Sequence, residues 1–252
     1  MIWRWTLAAM ILAACVMDAH GNPPDPLDDP VLVAAGFLDS HPDLRYRILA
    51  MDAYGEGRYE DAMRYFRRAS FYADKPSQAM VGEMLWRGEG ADRDPAMAYA
   101  WMDLAAERGY LIFLQTREQY WHALDEQQRA AAIERGQEVY ARYGDTVAEP
   151  RIAAILRRAR TRITGSRTGS PGNLQIIVPG PGGTDRTISA HQFYRPEYWD
   201  PGKYREWHDD LWQNARIGRV TVHDMEQVSR ESRVPEPEWG EDSAVQDVDN
   251  GD

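Results

Sequence analysis

The chain has 252 residues and a net charge of −11, long enough for one large domain or a domain with a smaller module. Its acidity and the absence of a broad basic surface exclude a nucleic-acid partner. A single cysteine, Cys15, excludes an intrachain disulfide.

The N-terminus reads MIWRWTLAAMILAAC, with Arg4 as a short positive region and Trp5 to Ala14 as an apolar run. That run is too short to span a bilayer and has the length of a signal-peptide core. Leu12-Ala13-Ala14-Cys15 is similar to a bacterial lipobox, in which the leader is cut before a cysteine that then carries a diacylglycerol. The resemblance implies a signal peptide over residues 1–14, lipidation at Cys15 and a protein anchored to the membrane without being embedded in it. Val16 is not the aspartate that marks inner-membrane retention in enterobacterial lipoproteins, which favours the outer membrane, facing the periplasm. A plain secretory leader cut further on is the alternative.

Residues 15–30 are polar and proline-rich and predict a flexible tether. Helical patterning fills residues 31–163. Residues 42–54 place Leu44, Ile48, Leu49 and Met51 on one side, opposite Arg45 and Arg47. Helices follow over 59–72, 76–87 and 95–108, the last two opened by prolines at tolerated first-turn positions. A further helix covers 110–124, and Asp125 caps the next, whose Ala131, Gly136, Val139 and Tyr143 look inward. Ile152, Ile155 and Leu156 mark the last, before Gly165.

Within this region residues 81–110 read VGEMLWRGEGADRDPAMAYAWMDLAAERGY. Gly88 and Gly90 punctuate two helical stretches, and small residues on the second allow close approach, with Trp101 filling the remaining space. The stretch resembles the Sel-one-like repeat, a relative of the tetratricopeptide repeat. Val81-Gly82 stands at its Leu-Gly pair, Leu85-Trp86 at its aromatic pair, Gly88-x-Gly90 at its turn, and Ala98 through Gly109 at its second helix. A weaker copy lies upstream: Ala62, Tyr65, Phe66 and Ala69 match Ala98, Trp101, Met102 and Ala105 at an offset of 36. The resemblance implies a mostly α fold of antiparallel helix-hairpin repeats, a short α-solenoid, which acts by binding a protein or peptide. Glu83 and Arg87 occupy variable positions of the repeat and are candidate contact residues. An ordinary helix bundle is the alternative.

Residues 164–234 form a different module. Residues 173–178 predict a strand, 179–183 (PGPGG) a turn and 187–193 a returning strand, a β-hairpin. Asp200-Pro201 opens a short helix with Tyr204, Trp207, Leu211 and Trp212 on one face, and residues 219–223 predict another strand. The aromatics over 193–212 are expected to cap the helical stack; otherwise Trp199, Trp207 and Trp212 form an exposed patch for a partner or for envelope glycan. Residues 235–252 carry seven carboxylates and no base and predict disorder.

Candidate chemistry is sparse. PGPGG lacks the lysine and helix start of a phosphate cradle. No two histidines have metal-site helical spacing, and His191, His208 and His223 are weak candidates for a joint metal site. No nucleophile elbow occurs. Residues 151–167 carry six arginines and no acid, a face for anionic lipid or the acidic tail, or simply the solvated side of a docked helix. Cysteine-rich relatives of the repeat family are linked to β-lactam binding or hydrolysis, but they use disulfides that this chain cannot form. The expectation is therefore a membrane-anchored scaffold with a protein partner, no catalytic residues, no metal and no cofactor.

Overall fold

The computed structural model describes residues 25–164, 173–180, 182 and 184–213. Its helices are α1 (Pro30–Ala34), α2 (Pro42–Gly55), α3 (Tyr59–Ser70), α4 (Lys75–Arg87), α5 (Pro95–Ala105), α6 (Leu111–Ala123), α7 (Glu126–Tyr143) and α8 (Asp145–Thr164). The strands β1 (Gln175–Val178) and β2 (Arg186–Ser189) follow, then α9 (Ala190–Phe193), α10 (Pro196–Trp199) and α11 (Pro201–Gln213). The fold is mostly α-helical with one small two-stranded hairpin.

Helix starts follow the local chemistry. Asp74, Asp94 and Asp125 each accept a backbone N–H of the helix they open, and Asp125 with Gln128 completes a capping box. Gly88 ends α4 at φ +77°, a left-handed conformation that disfavours any side chain. Pro150 lies inside α8, which begins directly after Gly144 and runs through it. The proline leaves one carbonyl of that helix without its intrahelical donor.

Helices α2 and α3 pack as a pair, as do α4 and α5; α3 packs on α4, and α5 also meets α6 and α7. Gly82 sets the α4–α5 spacing. A Cβ there would stand 3.0 Å from the Ala98 carbonyl oxygen and 3.2 Å from the Met102 amide nitrogen. Ala62, Phe66 and Ala69 on α3, and Ala98, Met102 and Ala105 on α5, are all buried in one core with Met84, Trp101 and Leu104.

The face expected for α2 is corrected. Leu49 and Met51 are exposed, whereas Asp43, Leu44, Ala50 and Ala53 are buried and Arg47 is turned inward. Residues 43, 47, 50 and 54 form the inward stripe at helical spacing, and Ala50 with the neighbouring Ala53 admits α3 closely.

A second core joins the two ends of the described chain. Leu32, Phe37 and Leu44 meet Ile152 and Leu156 of α8 and the aromatics Phe193, Tyr198, Trp199, Tyr204 and Trp207. The hairpin is antiparallel, with Gln175 opposite Ser189 and Val178 opposite Arg186. The returning strand ends earlier than expected, because the Ser189 hydroxyl accepts the Gln192 N–H and opens α9.

Candidate functional site

Two places among the described residues gather chemistry. The first is an open groove across α3, α5 and α7. Two adjoining hollows, about 790 and 660 Å³, share Arg67, Arg142 and Tyr143. The Arg68 guanidinium lies 5.4 Å from the Tyr46 ring centre and that of Arg142 5.4 Å from Tyr143. Among the described residues Arg67, Arg68 and Arg142 pair with no carboxylate; Glu60 and Glu138 line the hollows without bridging to them. Arg135, by contrast, is held by Asp94 at 2.6 Å. Arg151 of α8 is also committed: it donates to the Phe71 and Arg142 carbonyls and stacks 3.8 Å over Phe71.

The second is a cavity of about 350 Å³ between α2, α8 and α11. Its wall is apolar where Ile152, Ala153 and Leu156 face Pro201, and Asp43 and His208 also line it. The Tyr204 hydroxyl donates to Asp43 Oδ2 at 2.6 Å, and His208 Nε2 lies 3.8 Å from the same oxygen, beyond hydrogen-bond reach. Asp43 Oδ1 and His208 Nε2 are buried and have no hydrogen-bond partner. Such orphans are uncommon, because each forfeits its hydration. Burial, reinforced by the nearby Asp74 charge, pushes the Asp43 carboxyl up to about 7. Burial likewise lowers the His208 imidazole well below its usual value and His41 to about 4, the latter despite the Phe37 and Tyr198 carbonyls on its two ring nitrogens.

Charged groups around this cavity are largely spoken for. Arg47 meets Asp74 at 2.8 Å, and Asp74 also caps α4. Arg108 binds Asp145 at 2.7 Å and Glu149 at 3.2 Å, while Lys75, almost wholly buried, holds Glu107 at 2.6 Å and Asp145 at 3.0 Å. Arg205 reaches Glu149 at 2.7 Å and ties α11 to α8. The polar atoms left uncommitted beside the cavity are therefore Asp43 Oδ1 and His208 Nε2, which can meet the polar head of a bound molecule.

The residues singled out from sequence have mixed placements. Glu83 and Arg87 come together at 2.5 Å, but Glu83 also accepts the Tyr120 hydroxyl and so joins α4 to α6. Trp199 and Trp207 are corrected as an open aromatic platform: both are buried in the second core, and the Trp199 indole N–H donates to the Phe193 carbonyl at 2.6 Å. Trp212 is half-buried, with its ring 5.5 Å from Phe113. His191 is exposed and His208 buried; His223, the strand over 219–223, Cys15 with its leader, and the acidic tail lie outside the described residues. Asp43 and the arginines of the groove carry no signal in the sequence, and Tyr204 stands out there only as one ring of an aromatic helix face. The one local signal was the four-residue spacing of Tyr204 and His208, which sets both on one helical face. Compared with known proteins, the chain matches no family model, no curated protein and no solved structure.

Proposed function

We propose that this chain is a lipid-anchored envelope scaffold that binds an acidic segment of a partner protein in the groove of α3, α5 and α7. The observation that carries the reading is the trio Arg67, Arg68 and Arg142, left without carboxylates, two of them over tyrosine rings, in a chain of net charge −11. Guanidiniums recognise carboxylates in a planar, paired geometry, and the rings add contact area at small entropic cost. The helix pairs α2–α3 and α4–α5 are read as two repeat copies, supported by the matched burial of Ala62 with Ala98, Phe66 with Met102 and Ala69 with Ala105. The role is binding and not catalysis. Burial of Trp199 and Trp207 takes support from the glycan alternative, because no open ring face remains on either.

The test is fluorescence anisotropy with a labelled peptide of alternating Glu and Tyr, against a Lys–Tyr control. The acidic peptide binds the full chain and weakens as salt rises, because surface charges are screened. Arg67→Gln with Arg142→Gln weakens it about tenfold, since two guanidinium–carboxylate contacts at an exposed site are together worth about 1 kcal/mol or somewhat more. Equal binding of the Lys–Tyr peptide, or indifference to the double substitution, sinks the reading.

A further inference from the structure

The groove leaves the cavity between α2, α8 and α11 unexplained. We propose that this cavity binds a small neutral molecule with an apolar ring and one hydroxyl group, the hydroxyl meeting Asp43 and His208 and the ring lying against Ile152, Ala153 and Leu156.

The two orphan atoms define the head group. Asp43 and His208 both line the cavity, and their Oδ1 and Nε2 lack any partner although the residues are more than nine-tenths buried. Asp43 Oδ2 is already taken by Tyr204, which leaves Oδ1; both orphan atoms are closed to solvent, so a ligand hydroxyl meets them by a small shift of the side chains that line the cavity. A hydroxyl both donates and accepts, so one such group can serve a carboxyl on one side and an imidazole on the other. The charge state points the same way. Both histidines of the region are held neutral by burial, and the Asp43 carboxyl retains its proton up to about 7.

A charged head group fits worse. Arg108 is engaged by Asp145 and Glu149, Arg205 by Glu149, and Asp74 by Arg47. Arg157 alone among the lining arginines has no ion pair among the described residues, and it is exposed. A buried ion without a counter-charge is costly, so the site selects against one. The remaining wall is apolar, and a volume of about 350 Å³ is at the lower end for small-molecule sites, suited to a single ring.

Titration calorimetry of the full chain with p-cresol, toluene and p-toluate tests the proposal. The hydroxyl compound binds at least about tenfold tighter than toluene, because a site with unpaired polar groups discriminates against an analogue that cannot satisfy them. The carboxylate gives no heat. Ala153→Phe, which fills the cavity from α8, abolishes the p-cresol signal. Gly202→Phe, at the exposed start of α11, narrows the same cavity without entering the core and weakens binding even if the first variant fails to fold. Asp43→Asn reduces the preference for p-cresol over toluene. No p-cresol binding at millimolar concentration, no preference for the hydroxyl (an apolar void or a water site only), or undiminished binding to folded Ala153→Phe overturns the assignment.

Discussion

At the scale of single residues, Asp43 and the two buried histidines pull stability in opposite directions over the same pH range. Asp43 faces Tyr204 and His208 on α11, Asp74 at the start of α4, and Arg47 on its own helix. Its folded pKa of about 7 stands above the ordinary carboxyl value of 3.8. The folded state therefore holds a proton that the unfolded chain releases, and the associated stability, full below about 4, is lost as pH rises through 7. His41, lowered from 6.5 to about 4, does the reverse: its contribution is full above 6.5 and disappears as pH falls towards 4. His208, also lowered, adds to it. Among these three groups, two rising contributions outweigh one falling between about pH 4 and 6.5. Asp43→Asn removes the opposing term, so urea denaturation at a series of pH values gives a steeper rise for the variant across that range. Parallel curves for variant and wild type, displaced by a constant amount, contradict the assignment of the raised carboxyl to Asp43.

At the scale of elements, the helix pairs depend on glycine and alanine more than on large apolar side chains. Gly82→Ala brings a methyl group within 3.0 Å of the Ala98 carbonyl on a backbone that cannot swing aside as a side chain would. Alanine ordinarily favours a helix over glycine by about 1 kcal/mol, so a bland site gains stability from this change. Here overpacking of about 1–3 kcal/mol is expected to win, and the variant melts below wild type. A higher melting temperature shows that α4 and α5 are not held at the spacing described. Much of this level was legible in the sequence. The Gly88 and Gly90 punctuation, the Asp125 cap and the matched small residues of α3 and α5 are local signals with local causes. The orientation of α2 was not, because Leu49 and Met51 look like core residues, and only the Arg47–Asp74 pair and the alanine stripe turn the helix the other way. The cavity was illegible for a related reason. Asp43 and Tyr204 are 161 residues apart, and nothing near either of them announces the other. The arginines of the groove are scattered over two helices and become a patch only once α3 and α7 border the same hollow.

At the scale of the whole molecule, the proposed lipid anchor and the proposed binding groove are expected to act separately. Among the described residues no helix is long and apolar enough to cross a membrane. A net charge of −11 opposes adsorption to an anionic lipid surface, where basic residues are the usual source of attraction. Of the arginines over 151–167, Arg151 is spent on Phe71, whereas Arg157 and Arg158 are exposed on α8, whose Ile152 and Leu156 pack into the second core. Membrane association is then expected to rest on the acyl chains at Cys15, each buried methylene contributing about 0.8 kcal/mol. Expressed in a bacterial host with its leader intact, the parent protein sediments with membranes and incorporates labelled palmitate. Cys15→Ser loses the label and moves to the soluble fraction, while retaining the acidic-peptide affinity of the groove. The Arg67→Gln and Arg142→Gln double variant shows the converse, labelled and membrane-bound but weak for the peptide. A Cys15→Ser protein that stays with the membranes after a high-salt wash excludes the cysteine as the anchor. Loss of both properties in either variant instead means that tether and groove form one unit.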